Sequence, residues 1–217
     1  MIVVVGGVKG GTGKTTIATN LTVLRAQSGK KVLLVDADEQ KSTSIWANQR
    51  DVLGIQTKWA TIQLTGKAVY SQIDKMKADY DDVIIDVGGR ETRSLRASIA
   101  IADIFLIPFK PRSLDIWTLS DIKTIIYEMK PANQKLKCVA VINQGDSRGT
   151  DNQETIDILK ECEDIICYPH SIGTRKSFAN AASDGIGINE MVSIDKKAVQ
   201  EMQTLYDFIY NLCTVNV

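Results

Sequence analysis

The first residues with evident chemistry form a glycine-rich run from Val8 to Thr16, which reads VKGGTGKTT. It directly follows an apolar run, Ile2 to Val5, that is typical of a buried strand. Glycines permit a turn in which backbone N–H groups converge on an anion, and a helix starting there adds its positive end. Lys14 could then reach the β- and γ-phosphates, and Thr15 could hold Mg²⁺. The run predicts a site for a nucleotide phosphate chain; a tight strand-to-helix connection without a ligand is the alternative.

The common phosphate-loop pattern G-x-x-x-x-G-K-[ST] needs glycine at position 8, where this chain has valine. The chain has instead a second lysine, Lys9, before the glycines. The resulting K-G-G-T-G-K-T-T resembles the deviant Walker A motif of the ParA/MinD family of P-loop ATPases. The resemblance implies that the nucleotide phosphates are bound by Gly10, Gly11, Thr12, Gly13, Lys14, Thr15 and Thr16. It also implies that Lys9 crosses a dimer interface to the nucleotide of the partner subunit.

A second apolar run, residues 31–36, predicts a buried parallel strand that ends in Asp36-Ala37-Asp38-Glu39-Gln40. Open α/β sheets bind ligands at the carboxyl ends of their strands. The segment resembles the family's D-x-D-P-Q, with Glu39 in place of proline. By that match Asp38 would orient the attacking water, and Asp36 would support Mg²⁺ through its water shell. An Asp that only shapes a turn or caps a helix is the open alternative for Asp38.

The third clear strand, residues 82–86, ends in Asp86. It resembles a Walker B strand, so Asp86 is expected to bind a water of the Mg²⁺ shell. The following Gly88 and Gly89 allow close approach of backbone to phosphate or to a partner subunit, which makes this loop a candidate γ-phosphate sensor. Asn143 ends a later apolar strand, where relatives contact the adenine base; a turn-forming Asn before Gly145 is an equally open interpretation.

Phosphoryl transfer to water needs a positioned phosphate chain, a metal, an oriented water and charge neutralisation. The chain offers candidates for each. Lys9, Lys14 and Asp38 are the expected catalytic residues, Thr15, Asp36 and Asp86 the expected Mg²⁺ residues, and ATP/ADP with Mg²⁺ the expected ligands. If Lys9 acts in trans, ATP is part of a dimer interface, and hydrolysis weakens that interface.

Strand and helix patterns alternate along the chain without a repeat or linker, which predicts one domain over residues 1–217. The predicted fold is α/β, a doubly wound, mostly parallel sheet with helices on both faces. Specific expectations include a strand over 55–62, a helix over 114–129 and a short strand over 164–168. Because the first strand starts the chain, no N-terminal helix-turn-helix extension is expected.

Composition narrows the class of protein. Twenty-six Lys and Arg balance 26 Asp and Glu, so only a local patch could attract nucleic acid. The four cysteines show neither metal-ligand nor paired spacing, and no apolar run approaches the length of a membrane span. These features predict a cytoplasmic protein, nucleoid-associated when ATP-bound, with reduced thiols.

The resemblance implies a short ParA-type partition ATPase that dimerises on ATP, binds nonspecific DNA and is stimulated by a ParB-like partner on the cargo. The candidate DNA-binding residues are Arg90, Arg93, Arg96, Lys110, Arg112, Arg175 and Lys176. Scattered solvated charges are the alternative interpretation of that set.

Other functions share parts of this pattern. Some family members position a protein cargo instead of a plasmid, and the sequence does not separate the two. A MinD-like membrane positioner would be expected to end in a basic amphipathic helix, whereas no Lys or Arg follows Lys197; direct membrane binding is therefore not expected. A nitrogenase-reductase-like electron donor would need cysteines near the dimer axis to hold a shared iron–sulfur cluster, whereas no cysteine precedes Cys138 in this chain. A dethiobiotin-synthetase-type ligase shares the loop, but the paired lysines argue against it.

Overall fold

A computed structural model of the chain describes residues 1–111, 116–146 and 150–214. Its strands are β1 Ile2–Val5, β2 Val32–Asp36, β3 Ala60–Gln63, β4 Asp82–Asp86, β5 Ile104–Phe109, β6 Lys137–Gly145 and β7 Ile166–Gly173. Its α-helices are α1 Lys14–Gln27, α2 Ser42–Val52, α3 Lys67–Met76, α4 Arg93–Ile99, α5 Ile116–Met129, α6 Asp151–Lys160, α7 Lys176–Ser183 and α8 Lys196–Thr214. Short 3₁₀ turns lie at Lys77–Asp79 and Ile188–Glu190.

The strands form one sheet in the order β3-β2-β4-β1-β5-β6-β7, and every pairing is parallel. This confirms the predicted doubly wound α/β fold. All residues of β1, β2, β4 and β5 are buried, as continuous apolar strands covered on both faces must be. The chain moves outward from β1 in one direction to β2 and β3, and later in the other to β5, β6 and β7. The carboxyl ends of β1 and β4 therefore lie at the switch point where such sheets bind ligands.

Helices cover both faces of the sheet, and each face has its own apolar core. Successive strand residues point to opposite faces, so Val3 and Val5 of β1 enter one core while Ile2 and Val4 enter the other. Helices α1, α7 and α8 contribute to the first core, for example through Ile209. Helices α3, α4, α5 and α6 contribute to the second. Among the described residues, no helix is both long enough and apolar enough to cross a membrane.

Two element boundaries differ from the predicted ones, and a third is not described. The strand expected over 55–62 is confined to β3, and Trp59 just before it stacks on Trp46 with ring centroids 5.8 Å apart. The strand expected over 164–168 extends to Gly173, because its pairing with β6 continues through a register shift. Helix α5 is described from Ile116, so the predicted start of that helix lies outside the described residues.

A buried ion pair joins the end of α2 to the C-terminal part of the chain. The Arg50 guanidinium donates to both oxygens of Glu190 at 2.7 Å, and its side chain is only 3% exposed. The carbonyls of Gly185 and Gln56 accept a further N–H from each terminal nitrogen at 3.2 Å. The guanidinium also lies 4.8 Å from the centre of the Trp59 ring. Since a buried charge needs partners, this cluster fixes α2 against the 3₁₀ turn after α7.

Replacing Glu190 tests this pair. Glu190→Ala should lower the free energy of unfolding by about 3 kcal/mol, because it leaves the Arg50 charge buried without its anion. Urea unfolding followed by circular dichroism measures the change. The control is Asp74→Ala, which breaks an ion pair with Lys77 whose side chains are both about half exposed. That variant should unfold like the wild type; equal losses for the two variants would contradict the assigned role.

Candidate functional site

The glycine-rich loop connects β1 to α1, which begins at Lys14. Gly11 and Gly13 adopt φ values of +72° and +85°, in the left-handed region that favours glycine. A side chain on Gly13 would also overlap the amide of Asn143. The loop therefore has the conformation that leaves its backbone N–H groups at the positive end of α1, as an anion cradle requires.

Lys14 is buried at the start of α1, and its ammonium donates to the carbonyl of Lys9 at 2.9 Å. Burial lowers the pKa of Lys14, while the carboxylates of Asp86 and Asp38 act in the opposite direction. The structure thus places this positive charge beside two of the predicted site carboxylates.

Asp86 lies at the end of β4 and is 1% exposed. Its Oδ2 accepts two hydrogen bonds, from Thr15 at 2.6 Å and from Thr43 at 2.7 Å. Its Oδ1 is buried and has no hydrogen-bond partner among the described residues. Burial raises the pKa of Asp86 to about 7. A buried carboxylate oxygen without a donor, beside a Thr hydroxyl, fits the oxygen chemistry that Mg²⁺ prefers.

Asp36, at the end of the neighbouring strand β2, is fully buried and is the register partner of Asp86. Its Oδ1 accepts the backbone N–H of Asp38 at 3.1 Å. Its Oδ2 accepts both the N–H and the hydroxyl of Ser44 at 2.7 Å. Asp36 therefore shapes the Asp38 segment and holds the start of α2; its predicted support of Mg²⁺ through a water shell stays a prediction.

The Asp38 carboxylate lies opposite the loop that follows β4. It accepts the N–H of Gln40 at 3.0 Å, and a Cβ on Gly88 would lie 2.7 Å from its Oδ1. The turn that carries Asp38 ends at Lys41, whose φ is +56°. A non-glycine residue in that conformation is strained, which is common where a segment serves function.

One cleft of about 580 Å³ contains most of the predicted site. Three loops line it, those that follow β1, β2 and β4. The lining includes Gly10, Gly11, Gly13, Lys14, Thr15, Thr16, Asp38, Gly88, Gly89 and Arg90. The loops that follow β1 and β4 touch: a Cβ on Gly89 would lie 2.6 Å from the Cα of Gly10 and 2.7 Å from the carbonyl oxygen of Lys9. The residue types and the shape of this cleft suit a triphosphate with a divalent cation.

Lys9 lies on the other side of its loop. It lines a small separate cavity with Phe109 and Lys110 instead of the phosphate cleft. The two lysines of the motif therefore border different cavities within one chain.

Asn143 is buried beneath the glycine-rich loop. Its Nδ2 donates to the carbonyl of Thr12 at 2.7 Å, and the next residue, Gln144, donates to the carbonyl of Gly11 at 3.1 Å. Both side chains brace the loop, so Asn143 is more than a turn residue. Its predicted contact with adenine is untested and stays a prediction.

Three of the candidate DNA-binding residues are exposed near the carboxyl edge of the sheet. Arg90 and Arg93 are exposed after β4, whereas Lys176 is exposed after β7. Four strand spacings separate β4 from β7 in the sheet, roughly 19 Å. Among the described candidates, Arg90 and Arg93 thus lie at one end of this edge and Lys176 at the other, and the predicted DNA surface stays a prediction.

Three of the remaining candidates have partners within the chain. Arg96 pairs with Glu91 and Glu128 at 2.5 Å, and Arg175 pairs with Glu201 at 2.6 Å. The ammonium of Lys110 lies 3.7 Å from the Cβ position of Gly11, against the phosphate loop. These contacts leave Arg96 and Arg175 with little net positive charge to offer DNA. Arg112 lies outside the described residues.

Sequence reasoning missed Thr43, Ser44 and Gln144. A run of three hydroxyl residues at the start of a predicted helix signals capping. It does not say that the hydroxyls reach carboxylates at the ends of two strands, because that depends on which strands are neighbours.

The fold and site define a P-loop nucleotide-binding protein, and comparison with known sequences agrees. Residues 2–188 match the family described as the CobQ/CobB/MinD/ParA nucleotide binding domain. The chain belongs to this family, as the loop and the D-x-D segment predict. It is 27% identical to the maintenance of carboxysome distribution protein A of Halothiobacillus neapolitanus, over 93% of this chain and 92% of that protein. It is 36% identical to protein ParA of Rhizobium radiobacter over about half of each chain, 52% and 50%.

Solved structures show the same fold. A putative plasmid partition protein of Borrelia burgdorferi bound to AMPPNP matches with a TM-score of 0.76 at 18% identity, over 97% of this chain and 98% of that one. Apo McdA of Cyanothece matches with 0.75 at 20% identity, over 94% and 98%. Cobyrinic acid a,c-diamide synthase of Mycobacterium smegmatis, with an ATP analogue and magnesium, matches with 0.80 at 16% identity, over 100% and 96%. At these identities the likeness establishes the fold.

A side chain at Gly89 should disrupt the cleft without unfolding the protein. Gly89→Ala forces the backbone of Gly10 and Lys9 to move, so we expect at least a roughly tenfold weaker affinity for ATP, the cost of losing one well-placed charge-assisted hydrogen bond. Titration calorimetry measures it. The control is Gly7→Ala, because a Cβ there meets only the side chain of Ile107, at 3.7 Å. Unchanged ATP affinity in Gly89→Ala would contradict the tight contact between the loops.

The raised pKa of Asp86 predicts a pH-dependent stability. In the unfolded chain this carboxyl titrates near 3.8, and in the folded chain near 7. Between these values the folded state holds a proton that the unfolded state lacks, so its stabilising effect is complete at low pH and is lost as pH rises through about 7. Asp86→Asn stays neutral throughout. Its stability relative to the wild type should therefore increase from about pH 4 to 7, by roughly 1.4 kcal/mol per pH unit at most, and then level off.

Urea unfolding at several pH values, without nucleotide or Mg²⁺, measures that difference. Asp79→Asn makes the same change at an exposed position and should follow the wild-type curve. An Asp86→Asn advantage that is constant or shrinks towards pH 8 would contradict the buried, proton-holding carboxyl.

Proposed function

We propose that the chain is a ParA-type positioning ATPase. It binds ATP and Mg²⁺ in the cleft, dimerises around the nucleotide, attaches to DNA without sequence preference, and is stimulated to hydrolyse ATP by an adaptor protein on its cargo. The observation that supports this proposal best is that Lys14, Thr15 and Asp38 line one cleft at the switch point of the sheet, with the buried Asp86 hydrogen-bonded to Thr15 and near the charge of Lys14.

The chemistry assigned to the cleft is attack of water on the γ-phosphorus, with cleavage of its bond to the β,γ-bridging oxygen. The loop N–H groups and Lys14 hold the phosphates, and Asp38 orients the water. Mg²⁺, when bound, would neutralise charge on the β- and γ-phosphates. Thr15 and Asp86 would hold it, with the unpartnered Oδ1 of Asp86 as the available acceptor. The AMPPNP bound to the Borrelia burgdorferi protein supports a nucleoside triphosphate as the ligand.

The place of Lys9 outside the lining of the phosphate cleft supports a role in a dimer. Within its own chain this lysine does not line the phosphate cleft, whereas Lys14 does. A cation that serves a neighbouring subunit's γ-phosphate must leave its own loop in this way. ATP would then stabilise the dimer, and hydrolysis would dissolve it, so ATP turnover sets the time spent on DNA.

Exposed basic residues at two places about 19 Å apart on one chain also fit a dimeric DNA surface. A dimer doubles Arg90, Arg93 and Lys176 along one edge, and each phosphate contact adds affinity that falls with salt. The exposed members of the set carry this role, since Arg96 and Arg175 are already paired.

The cargo is a plasmid or a protein assembly. The carboxysome distribution protein of Halothiobacillus neapolitanus matches nearly the full chain, which favours a protein cargo. Protein ParA of Rhizobium radiobacter is more similar but over half the chain. Pull-down with a purified adaptor encoded beside the gene distinguishes the two, because the adaptor binds either a DNA repeat or an assembly protein.

An ATP-dependent ligase is the second candidate function. It is favoured by the fold likeness to cobyrinic acid a,c-diamide synthase and by a separate cavity of about 500 Å³ beyond β6 and β7, lined by Gln144, Asp151 and Arg175 among others. A ligase would release ADP only with a small-molecule substrate and would not need Lys9.

Dimerisation on ATP is the decisive measurement. In light scattering after gel filtration, the wild type should shift from monomer to dimer with ATP and Mg²⁺ but not with ADP. Lys9→Ala should bind ATP and stay monomeric, whereas Asp38→Ala should accumulate as dimer, because the water is no longer oriented. Lys30→Ala removes an equal charge at the opposite edge of the sheet, where Lys30 pairs with Asp81, and should behave as the wild type.

The same samples test DNA attachment by filter binding to random-sequence duplex at low salt. Retention should require ATP, fall with added salt and be lost in Lys9→Ala. ATP-dependent dimers of Lys9→Ala would contradict the trans role of Lys9. If the wild-type dimer does not retain DNA, the result favours the ligase or a dimer that attaches to a surface other than DNA.

A further inference from the structure

The structure assigns Thr43 as a positioning residue of the Mg²⁺·ATP site: its hydroxyl fixes the Asp86 carboxylate so that Oδ1 is the oxygen left to face the metal. Thr43 belongs to neither of the motifs that the sequence analysis singled out. The inference rests on the proposed function only in that ATP and Mg²⁺ bind in the cleft.

The contact is short and fully enclosed. Thr43 is 0% exposed, and its Oγ1 donates to Asp86 Oδ2 at 2.7 Å. Thr15 donates to the same oxygen at 2.6 Å. Two donors on one oxygen occupy its lone pairs and prevent the carboxylate from turning over. The other oxygen, Oδ1, is buried and without a partner among the described residues, so the pair of threonines decides which oxygen stays available.

The contact comes from a different element than the phosphate loop. Thr43 lies in the first turn of α2, where the positive helix end faces two carboxylates at the ends of adjacent strands. Its neighbour Ser44 holds Asp36 with two hydrogen bonds while Thr43 holds Asp86. The start of α2 is thus tied to β2 and β4 together, and Asp38 lies in the short turn between β2 and α2. Thr43 therefore links the position of the metal carboxylate to the segment that carries Asp38.

Replacing the hydroxyl by a methyl group of nearly equal size tests the assignment. Thr43→Val keeps the packing but leaves Oδ2 with the Thr15 hydroxyl as its one donor, so the carboxylate is held less firmly and can present either oxygen. A hydrogen bond to a charged group contributes enough that we expect Mg²⁺ to enhance ATP affinity roughly tenfold less than in the wild type. The affinity measured in excess EDTA should stay within about twofold of the wild type. Thr43→Ser retains the hydroxyl and should restore most of the Mg²⁺ effect.

Titration calorimetry with ATP, in Mg²⁺ and in EDTA, gives the readout without any turnover. Thr22→Val is the matched control: Thr22 is also 0% exposed, but its hydroxyl donates to the carbonyl of Ala18 within α1. Equal Mg²⁺ enhancement in Thr43→Val and the wild type would overturn the assignment. So would an equal loss of affinity in Mg²⁺ and EDTA, which would show that Thr43 only supports the fold of the loop.

If Thr43→Val does not fold, Thr43→Ala is measured under the same two criteria, with its melting temperature compared with that of Thr22→Ala. The failure of the proposed function is distinguishable, because then the wild type itself would show no Mg²⁺-dependent binding of ATP.

Discussion

Two carboxylates, Asp36 and Asp86, end adjacent strands in register and are both withdrawn from water. Like charges in such a place repel and lose hydration, so the protein must surround them with donors or positive charge. The surroundings of the site follow from this constraint. The start of α2 supplies Thr43 and Ser44, and the start of α1 supplies the ammonium of Lys14 and the hydroxyl of Thr15. Helices α1 and α2 therefore both begin beside the carboxyl end of β4.

The three loops at this point are close enough to constrain one another. Gly88 faces Asp38 and Gly89 faces Gly10, in both cases without room for a side chain. A shift of the loop after β4 must therefore displace either the phosphate loop or the Asp38 turn. Through these contacts, a movement of one loop on loss of a γ-phosphate would also move the other two loops. It also explains why glycines occupy these positions although neither has a positive φ.

Much of this arrangement is readable in the sequence because it is local. The apolar runs at 2–5, 32–36 and 82–86, each followed by a polar segment, predict both the buried strands and the edge at which their ends meet. What could not be predicted depends on contacts between distant elements. The strand expected from residue 55 starts only at Ala60, after Trp59 has stacked on Trp46. Thr43 reaches Asp86 because β2 and β4 are neighbours, and Arg50 reaches Glu190 because the chain passes close to α2 again after α7. A local sequence pattern encodes neither of these contacts. The pairing of Arg96 with Glu128 and of Arg175 with Glu201 could not be predicted either, because each carboxylate comes from a distant element.

The Arg50–Glu190 pair has a consequence for where the folding unit ends. The family match stops at residue 188, two positions before the carboxylate that neutralises Arg50 and before α8, which places Met202, Leu205 and Ile209 in the core of one sheet face. A protein shortened to the boundary of the family match would leave a buried cation without its anion and uncover an apolar surface. The folding unit of this chain is therefore larger than the region by which its family is recognised, because α8 completes the apolar core that also contains Ile17 and Leu21 of α1.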